Sequence, residues 1–340
     1  MTKKKGTGTN SNFNKAKREK NDEFYTRLTD IENELCHYKD HFKNKIIYCN
    51  CDDPYRSNFV KYFALNFKFL GLKQLIATCY KHPDVDDSQF EGVADRPIKW
   101  VYNGEQIEGQ NYPDLSKAIV TDLKSDGDFR SEECLDILKD CDIVVTNPPF
   151  SLFRDFISLM EECNKSFLII GNQNAITYKE AFSMFMNNKI WLGYGFKGGA
   201  GHFINEHYED YATATDRKEG MIRVSGVHWF TNLDISKRHE DLILYKQYNS
   251  AEYPKYDNFD AINIDKVKEI PCDYKGLMGV PITFMNKFNP KQFDLIDNSN
   301  NLAGDIIIKG KLKKNPGRFY INGKRLYERL IIRNRKPQLD

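Results

Sequence analysis

No apolar run approaches the roughly eighteen residues that a membrane-spanning helix needs, and the opening MTKKKGTGTNSNFNK has no apolar stretch behind its lysines. A cytoplasmic protein, neither secreted nor membrane-bound, is expected. The eight cysteines, at 36, 49, 51, 79, 134, 141, 163 and 272, form no CxxC pair matched by a second pair or by spaced histidines. That spacing argues against a zinc framework, so no metal site is expected, and it favours reduced, mostly buried thiols. No internal repeat is present. The glycine-rich GYGFKGGAGHF at 193–203 lacks the GK[ST] ending of a phosphate-binding loop, which argues against nucleoside triphosphate binding.

The 340 residues are 40% hydrophobic and 29% charged, the composition of a soluble globular chain with one large domain or two. The net charge of +2 hides an uneven distribution. Residues 1–20 carry seven Lys or Arg against Glu19, and residues 306–340 carry eleven against Glu328 and Asp340. Basic ends on a near-neutral body suggest a polyanionic partner; the competing reading is a solvated tail and a solvated face.

Residues 1–21, poor in apolar side chains, are expected to form a disordered arm. Beyond them, short apolar runs alternate with helical patterns. KIIYC (45–49), QLIAT (74–78), AIVTD (118–122), DIVVT (142–146), SFLIIG (166–171) and IRVSGVHWF (222–230) read as strands. SNFVKYFALNFKFLG (57–71) reads as a helix capped by Ser57 and stopped by Gly71, and SEECLDILKD (131–140) as a second capped helix. The acidic stretch at about 82–116 looks like an insertion holding an Asn103-Gly104 hairpin turn. The alternation predicts an α/β fold with a doubly wound, mostly parallel Rossmann-like sheet over residues 22–234, and a smaller region at 235–340. Ligands of such sheets lie beyond the carboxyl ends of the strands. The loop after KIIYC and the corner after DIVVT therefore open onto one rim.

That corner is TNPPF, residues 146–150. Pro148 and Pro149 remove two backbone donors and fix two φ angles. Asn147 adds a side-chain carbonyl and Phe150 a flat apolar face. Two acceptors beside a stacking ring suit an exocyclic amino group on a flat heterocycle. Accepting its N–H bonds keeps the nitrogen lone pair available for attack on an electrophilic carbon. The plain alternative is a strand ending in a Pro-Pro turn.

TNPPF resembles the (D/N/S)PP(Y/F/W) motif of amino-methyltransferases that use S-adenosylmethionine. With NDEFYTRLTDIE, YCNCDDPYRSNFVKYF, GDFRSEEC and VVTNPPFSLFRDFI, most of the chain is similar to the EcoRI-type adenine-specific DNA methyltransferase family. The resemblance implies methyl transfer to adenine N6 within a short duplex sequence, with Asn147, Pro148, Pro149 and Phe150 catalytic and the adenine flipped out of the helix. It places S-adenosylmethionine against Asn50, Cys51, Asp52 and Asp53, in a loop that lacks the usual glycines, and against Asn147. It adds Asp128 and Phe129, with Asp122 as a competitor, and Tyr25 and Thr26 beside Phe24. Asp53 and Ser57 also read as helix-capping residues. The acid usual after the second strand is absent from ATCYK (77–81), which leaves the ribose contact unassigned.

The order of these segments matches the arrangement in which target recognition is C-terminal. There Lys309, Lys311, Lys313, Lys314, Arg318, Lys324, Arg325, Arg333 and Arg335 are candidates for DNA contacts, interleaved with Phe319, Tyr320 and Tyr327. GYGFKGGAGHF reads as a mobile loop at the DNA cleft or as a surface turn. A monomer is expected, with a cognate restriction endonuclease, where one exists, acting separately. RNA or protein-glutamine methylation, and DNA binding by a degenerate methyltransferase fold, are the competing functions.

Overall fold

The computed structural model describes residues 25–80, 96–204, 221–308 and 310–338. The basic arm, Phe24, Lys309 and much of the acidic stretch lie outside the described residues. The chain divides into two compact units, Met1–Gln173 with Gly193–Leu233 and Asn174–Leu192 with Asp234–Asp340. All eight cysteines are free thiols. Among the described residues no helix is long and apolar enough to cross a membrane, and no group of three or more His, Cys, Asp or Glu could hold a metal ion.

The first unit is mixed α/β. Its strands are β1 (Tyr25–Thr26), β2 (Ile46–Cys49), β3 (Gln74–Thr78), β4 (Ile98–Tyr102), β5 (Ile119–Asp122), β6 (Ile143–Thr146), β7 (Ser166–Asn172), β9 (Ala200–Ile204), β10 (Met221–Ser225) and β11 (Val227–Thr231). Its main helices are α1 (Leu28–Leu35), α2 (Asn58–Leu65), α3 (Glu132–Asp140) and α4 (Phe153–Glu162). Within this unit the large sheet runs β5-β4-β3-β2-β6-β7-β11. The centre is parallel, β2 pairing with β3 and β6 and β6 with β7. These strands are unbroken apolar runs because both faces are covered: Ile47, Leu75, Val144, Val145, Leu168 and Ile169 are fully buried. Each such side chain contributes about 1.5–3 kcal/mol relative to exposure.

The sheet is mixed rather than mostly parallel. Strand β4, within the stretch that reads as an insertion, joins it antiparallel to β3, and β5 joins antiparallel to β4. AIVTD thus forms an exposed edge strand instead of resuming the parallel run, with Ile119 and Val120 56% and 45% exposed. IRVSGVHWF, which reads as one strand, is two. Gly226, at φ +70°, breaks it, so β10 pairs with β9 while β11 pairs with β7. Strands β1, β9 and β10 form a separate three-stranded sheet.

Local signals act as expected around α2. The Ser57 hydroxyl accepts the N–H groups of Phe59 and Val60 at 3.1 and 3.4 Å, and Gly71 closes the following short helix at φ +64°.

The second unit contains α5 (Lys179–Met186), the short strand β8 (Trp191–Leu192) and a five-stranded sheet. That sheet runs β12 (Lys255–Tyr256), β13 (Phe259–Asn263), β14 (Met278–Pro281), β20 (Arg329–Asn334), β15 (Phe293–Asn298). Helix α5 packs on β15. Two hairpins stand apart as two-stranded sheets: β16 (Ile306–Ile308) with β17 (Lys311–Lys313), and β18 (Tyr320–Ile321) with β19 (Lys324–Arg325).

Candidate active site

Because β3, β2 and β6 are parallel neighbours, their carboxyl ends deliver three segments to one rim of the first unit: Thr78-Cys79, Asn50–Asp53 and Asn147–Phe150. Side chains stitch these ends together. The fully buried Asp52 accepts a hydrogen bond from the Ser57 hydroxyl at 2.6 Å through Oδ1 and from the Thr146 hydroxyl through Oδ2. Its backbone N–H donates to the Thr78 carbonyl at 3.2 Å. Thr146 immediately precedes Asn147, so the loop after β2 and the corner after β6 share one carboxylate. Burial raises the Asp52 pKa to about 6; the two hydroxyl bonds oppose the shift and the neighbouring charge of Asp53 adds to it.

The rest of that loop is held by its own turn. Asp53 Oδ1 accepts the Tyr55 N–H at 2.9 Å, and its carbonyl accepts those of Arg56 and Ser57 at 3.1 and 2.7 Å. Asn50 is buried, its carbonyl accepting the Thr78 hydroxyl at 3.5 Å, and the half-buried Cys51 thiol donates to Asn50 Oδ1 at 3.9 Å. At the corner, Pro148 is buried while Asn147, Pro149 and Phe150 are half-buried. The Pro149 carbonyl accepts the Leu152 N–H at 3.0 Å, which turns the chain into α4.

Tyr25 and Thr26 come to the same place by another route. They pair with Ile204 and Phe203 across β1 and β9, and Phe203 meets the Phe150 ring edge-on at a centroid distance of 6.4 Å. The Asn58 side-chain amide donates to the Thr26 carbonyl at 2.8 Å, and the Arg56 guanidinium lies 5.0 Å over the Tyr25 ring. The Thr26 hydroxyl is buried and has no hydrogen-bond partner among the described residues. Such an oxygen costs free energy until something bonds to it.

Asp128 and Phe129 follow Gly127, which lies against the end of β3 at φ +80°; a Cβ there would sit 2.1 Å from the Cys79 carbonyl oxygen. Burial would raise the Asp128 pKa, but side-chain and backbone hydrogen bonds from Arg130 and its charge hold the carboxyl below its ordinary value. Phe129 is buried against Phe156 of α4 at 4.9 Å, so its ring is a core element. Asp122, the competitor, ends the edge strand β5 and pairs with Arg96 at 2.7 Å.

GYGFKGGAGHF is neither a plain surface turn nor wholly a loop. Its first part is tied to α1, the buried Glu34 carboxylate accepting the N–H groups of Tyr194 and Gly195 at 2.8 Å each, and its last part is β9. Sequence reasoning missed Thr146, Asn58, Arg56 and Phe203 as supports of the site. Only the adjacency of Thr146 to the corner offered a signal.

In the second unit the basic candidates divide. Lys309 lies outside the described residues. Lys311, Lys313 and Lys314 are exposed on and beside the β16–β17 hairpin, Lys324 and Arg325 on β19, and Arg333 on β20. Arg318 is half-buried and engaged, bonding Asn300 and the Gly317 carbonyl and pairing with Glu328 at 3.5 Å. Arg335 donates to the Pro290 carbonyl at 2.8 Å and pairs with Asp294 at 3.5 Å. Phe319 and Tyr320 do not interleave with the lysines at the surface. Phe319 is fully buried, stacked 4.5 Å from Tyr256, and Tyr320 is buried beside it; apolar ring area drives both inward. Tyr327 is 62% exposed and donates to Asn174 Oδ1 at 3.1 Å.

Known proteins are similar to the chain over nearly its whole length. The family described as adenine-specific methyltransferase EcoRI matches residues 12–335. The chain is 48% identical to the type II methyltransferase M.EcoRI of Escherichia coli, over 97% of this chain and 98% of that one. It is 39% identical to M.MgeORF184P of Mycoplasma genitalium, over 95% and 99%, and 38% identical to M.MpnI of Mycoplasma pneumoniae, over 95% and 98%. No solved structure matches the chain. With the family match spanning nearly the whole sequence and the strand-end corner in place, the chain belongs to the EcoRI family of adenine-specific methyltransferases.

Proposed function

We propose that this chain transfers a methyl group from S-adenosylmethionine to N6 of an adenine turned out of duplex DNA at a short sequence. The observation that carries the reading is the shared carboxylate of Asp52, which fixes the Asn147–Phe150 corner to the Asn50–Asp53 loop at adjacent strand ends. The parallel run β3-β2-β6-β7 is read as the centre of a doubly wound, Rossmann-like sheet, whose ligands lie beyond its carboxyl ends.

The donor set suits S-adenosylmethionine. Tyr25, Thr26, Asn50, Cys51, Asp53, Asp128 and Asn147 would hold it, Phe129 only through its backbone because its ring is packed on Phe156, and the buried Thr26 hydroxyl offers an oxygen that needs a partner. Asp52, with both oxygens taken by hydroxyls, acts by fixing the loop. When bound, the cofactor supplies an electrophilic methyl carbon. The Asn147 side-chain carbonyl and the Pro148 backbone carbonyl accept the two N–H groups of the adenine amine, and Phe150 stacks on the base. Held this way, the amine would keep its lone-pair density out of the ring and available to an electrophilic carbon. The edge of Phe203 backs the Phe150 ring.

Residues 22–234 are read as the catalytic domain and 235–340 as the target-recognition region, where the exposed basic residues contact phosphates. The enzyme is read as a cytoplasmic monomer, with any cognate restriction endonuclease acting separately. The test is incubation of the protein with S-adenosylmethionine and plasmid DNA, followed by single-molecule mapping of N6-methyladenine. One short sequence modified throughout is expected, and Asn147→Ala should abolish the mark while retaining DNA binding. A plasmid without methyladenine, or an Asn147→Ala protein with near-normal turnover, overturns the reading.

A further inference from the structure

The β16–β17 hairpin presents an apolar pair to solvent. Ile307 and Leu312 are cross-strand partners, 70% and 57% exposed. Ile306, on the opposite face, is buried, so strand alternation turns Ile307 and Leu312 away from the core of their unit. Among the described residues the hairpin pairs with no further strand. Two-stranded hairpins are marginal in water, and folding alone gives no reason to place two branched apolar side chains on the outer face. An apolar face framed by charge marks a contact.

The frame identifies the partner. Lys311, Lys313 and Lys314 are exposed, Lys311 and Lys313 rising by the same alternation from the face of Ile306 and Ile308, and no acid occurs between Ile306 and Lys314. Asp305, at the foot of the hairpin, is occupied in accepting the Asn315 N–H at 2.9 Å. The Lys313 ammonium stands 6.0 Å over the Tyr320 ring, which sets the two hairpins side by side. An apolar pair at the middle of a cationic ribbon is complementary to a polyanion with an apolar interior, and duplex DNA has that construction. Phosphates meet the lysines, and stacked bases accept apolar side chains between their steps.

We infer that Ile307 and Leu312 form a wedge that enters the base stack of duplex DNA while the flanking lysines hold the phosphates beside it. The inference rests on the adenine-N6 reading and goes beyond it by assigning an element to opening the duplex. A base turned out of the helix leaves a gap whose neighbours have lost stacking; inserted apolar side chains restore contact there.

The experiment uses the full chain, unsubstituted and carrying Ile307→Ser with Leu312→Ser. Both side chains are exposed, so an unchanged denaturation midpoint is expected. Methylation is measured on two duplexes carrying the mapped sequence, one fully paired and one with the target adenine opposite a mismatched base, which is already partly unstacked. On paired DNA the double variant should lose at least about tenfold in kcat/KM; on mismatched DNA it should return to within about threefold of the unsubstituted protein. Unchanged methylation of paired DNA, or an equal loss on both duplexes, overturns the wedge alone. A changed mass in solution with unchanged methylation overturns it as well and assigns the pair to a protein contact. Methylation of neither duplex by the unsubstituted protein overturns the adenine reading on which the wedge rests.

Discussion

Thr146 donates its hydroxyl hydrogen to Asp52 across 94 positions of sequence, joining the residue before the Asn147 corner to the loop after β2. Thr146→Val removes the donor and leaves a buried carboxylate oxygen unpartnered, at a cost of about 1–3 kcal/mol. Turnover should fall about tenfold with a smaller change in cofactor KM, because the corner shifts relative to the loop. Thr146→Ser restores the hydroxyl and should recover most of both. Urea denaturation and steady-state kinetics on the three proteins decide; a valine variant that loses stability but keeps kcat would reduce Thr146 to a core residue.

Asp52 should leave a signature in stability against pH. Its folded pKa of about 6 lies above its ordinary 3.8, so the folded state holds the proton more tightly. That contribution is fully present below about pH 4 and is lost as pH rises through about 6, a change on the order of 3 kcal/mol. Asp52→Asn removes the titration and should flatten that part of the profile. Denaturation midpoints from pH 4 to 7.5 test this; parallel profiles for the two proteins would exclude Asp52 as the source.

Gly127 sets the approach of Asp128 to the end of β3. Gly127→Ala combines a left-handed φ with a Cβ 2.1 Å from the Cys79 carbonyl oxygen, so backbone must move. Gly109→Ala, at φ +74° with nothing within 4 Å, carries the φ penalty alone, about 1–2 kcal/mol. Thermal melting should separate the two, and calorimetric binding of S-adenosylmethionine should weaken at least about tenfold for Gly127→Ala only. Equal affinities would detach this loop from the cofactor.

Replacing Lys313 and Lys314 by Ala should lower the slope of log K against log salt for DNA binding by about 1–2. Arg318→Ala should act differently. Its guanidinium pairs with Glu328 and bonds Asn300, so the loss appears first as reduced stability. An unchanged slope for the lysine variant would mean those charges face solvent in the complex.

What was legible in the sequence followed from local chemistry. Two prolines after a β-branched run announce a stiff strand end at 146–150, and Ser57 and Gly71 bracket their helical segment, because each signal acts within a few residues. The bond from Thr146 to Asp52 was not legible, since nothing local marks which buried threonine meets which carboxylate. Nor was the direction of β4 and β5: a short strand such as IKWVY or IVTD reads alike in parallel and antiparallel pairings, and only the partner strand decides. In IRVSGVHWF the glycine was visible, but its positive φ, which sends the two halves to different sheets, was not. In the lysine-rich tail Lys311, Lys313, Lys314, Lys324, Arg325 and Arg333 are exposed and Arg318 is half-buried, while Phe319 and Tyr320 within it are core, which nothing local in the sequence marks.

The second unit is drawn from two stretches, and the chain enters it at Asn174, leaves at Leu192 and returns at Asp234. Helix α5, from the first stretch, buries Phe182 and Phe185 and packs on β15 from the second. The unit is therefore not a cassette that recombination could exchange at a single breakpoint. A crossover near residue 234 would set a foreign β15 against a native α5. Divergence of this unit among relatives has to proceed by coordinated point changes on both stretches, or by two exchanges at once.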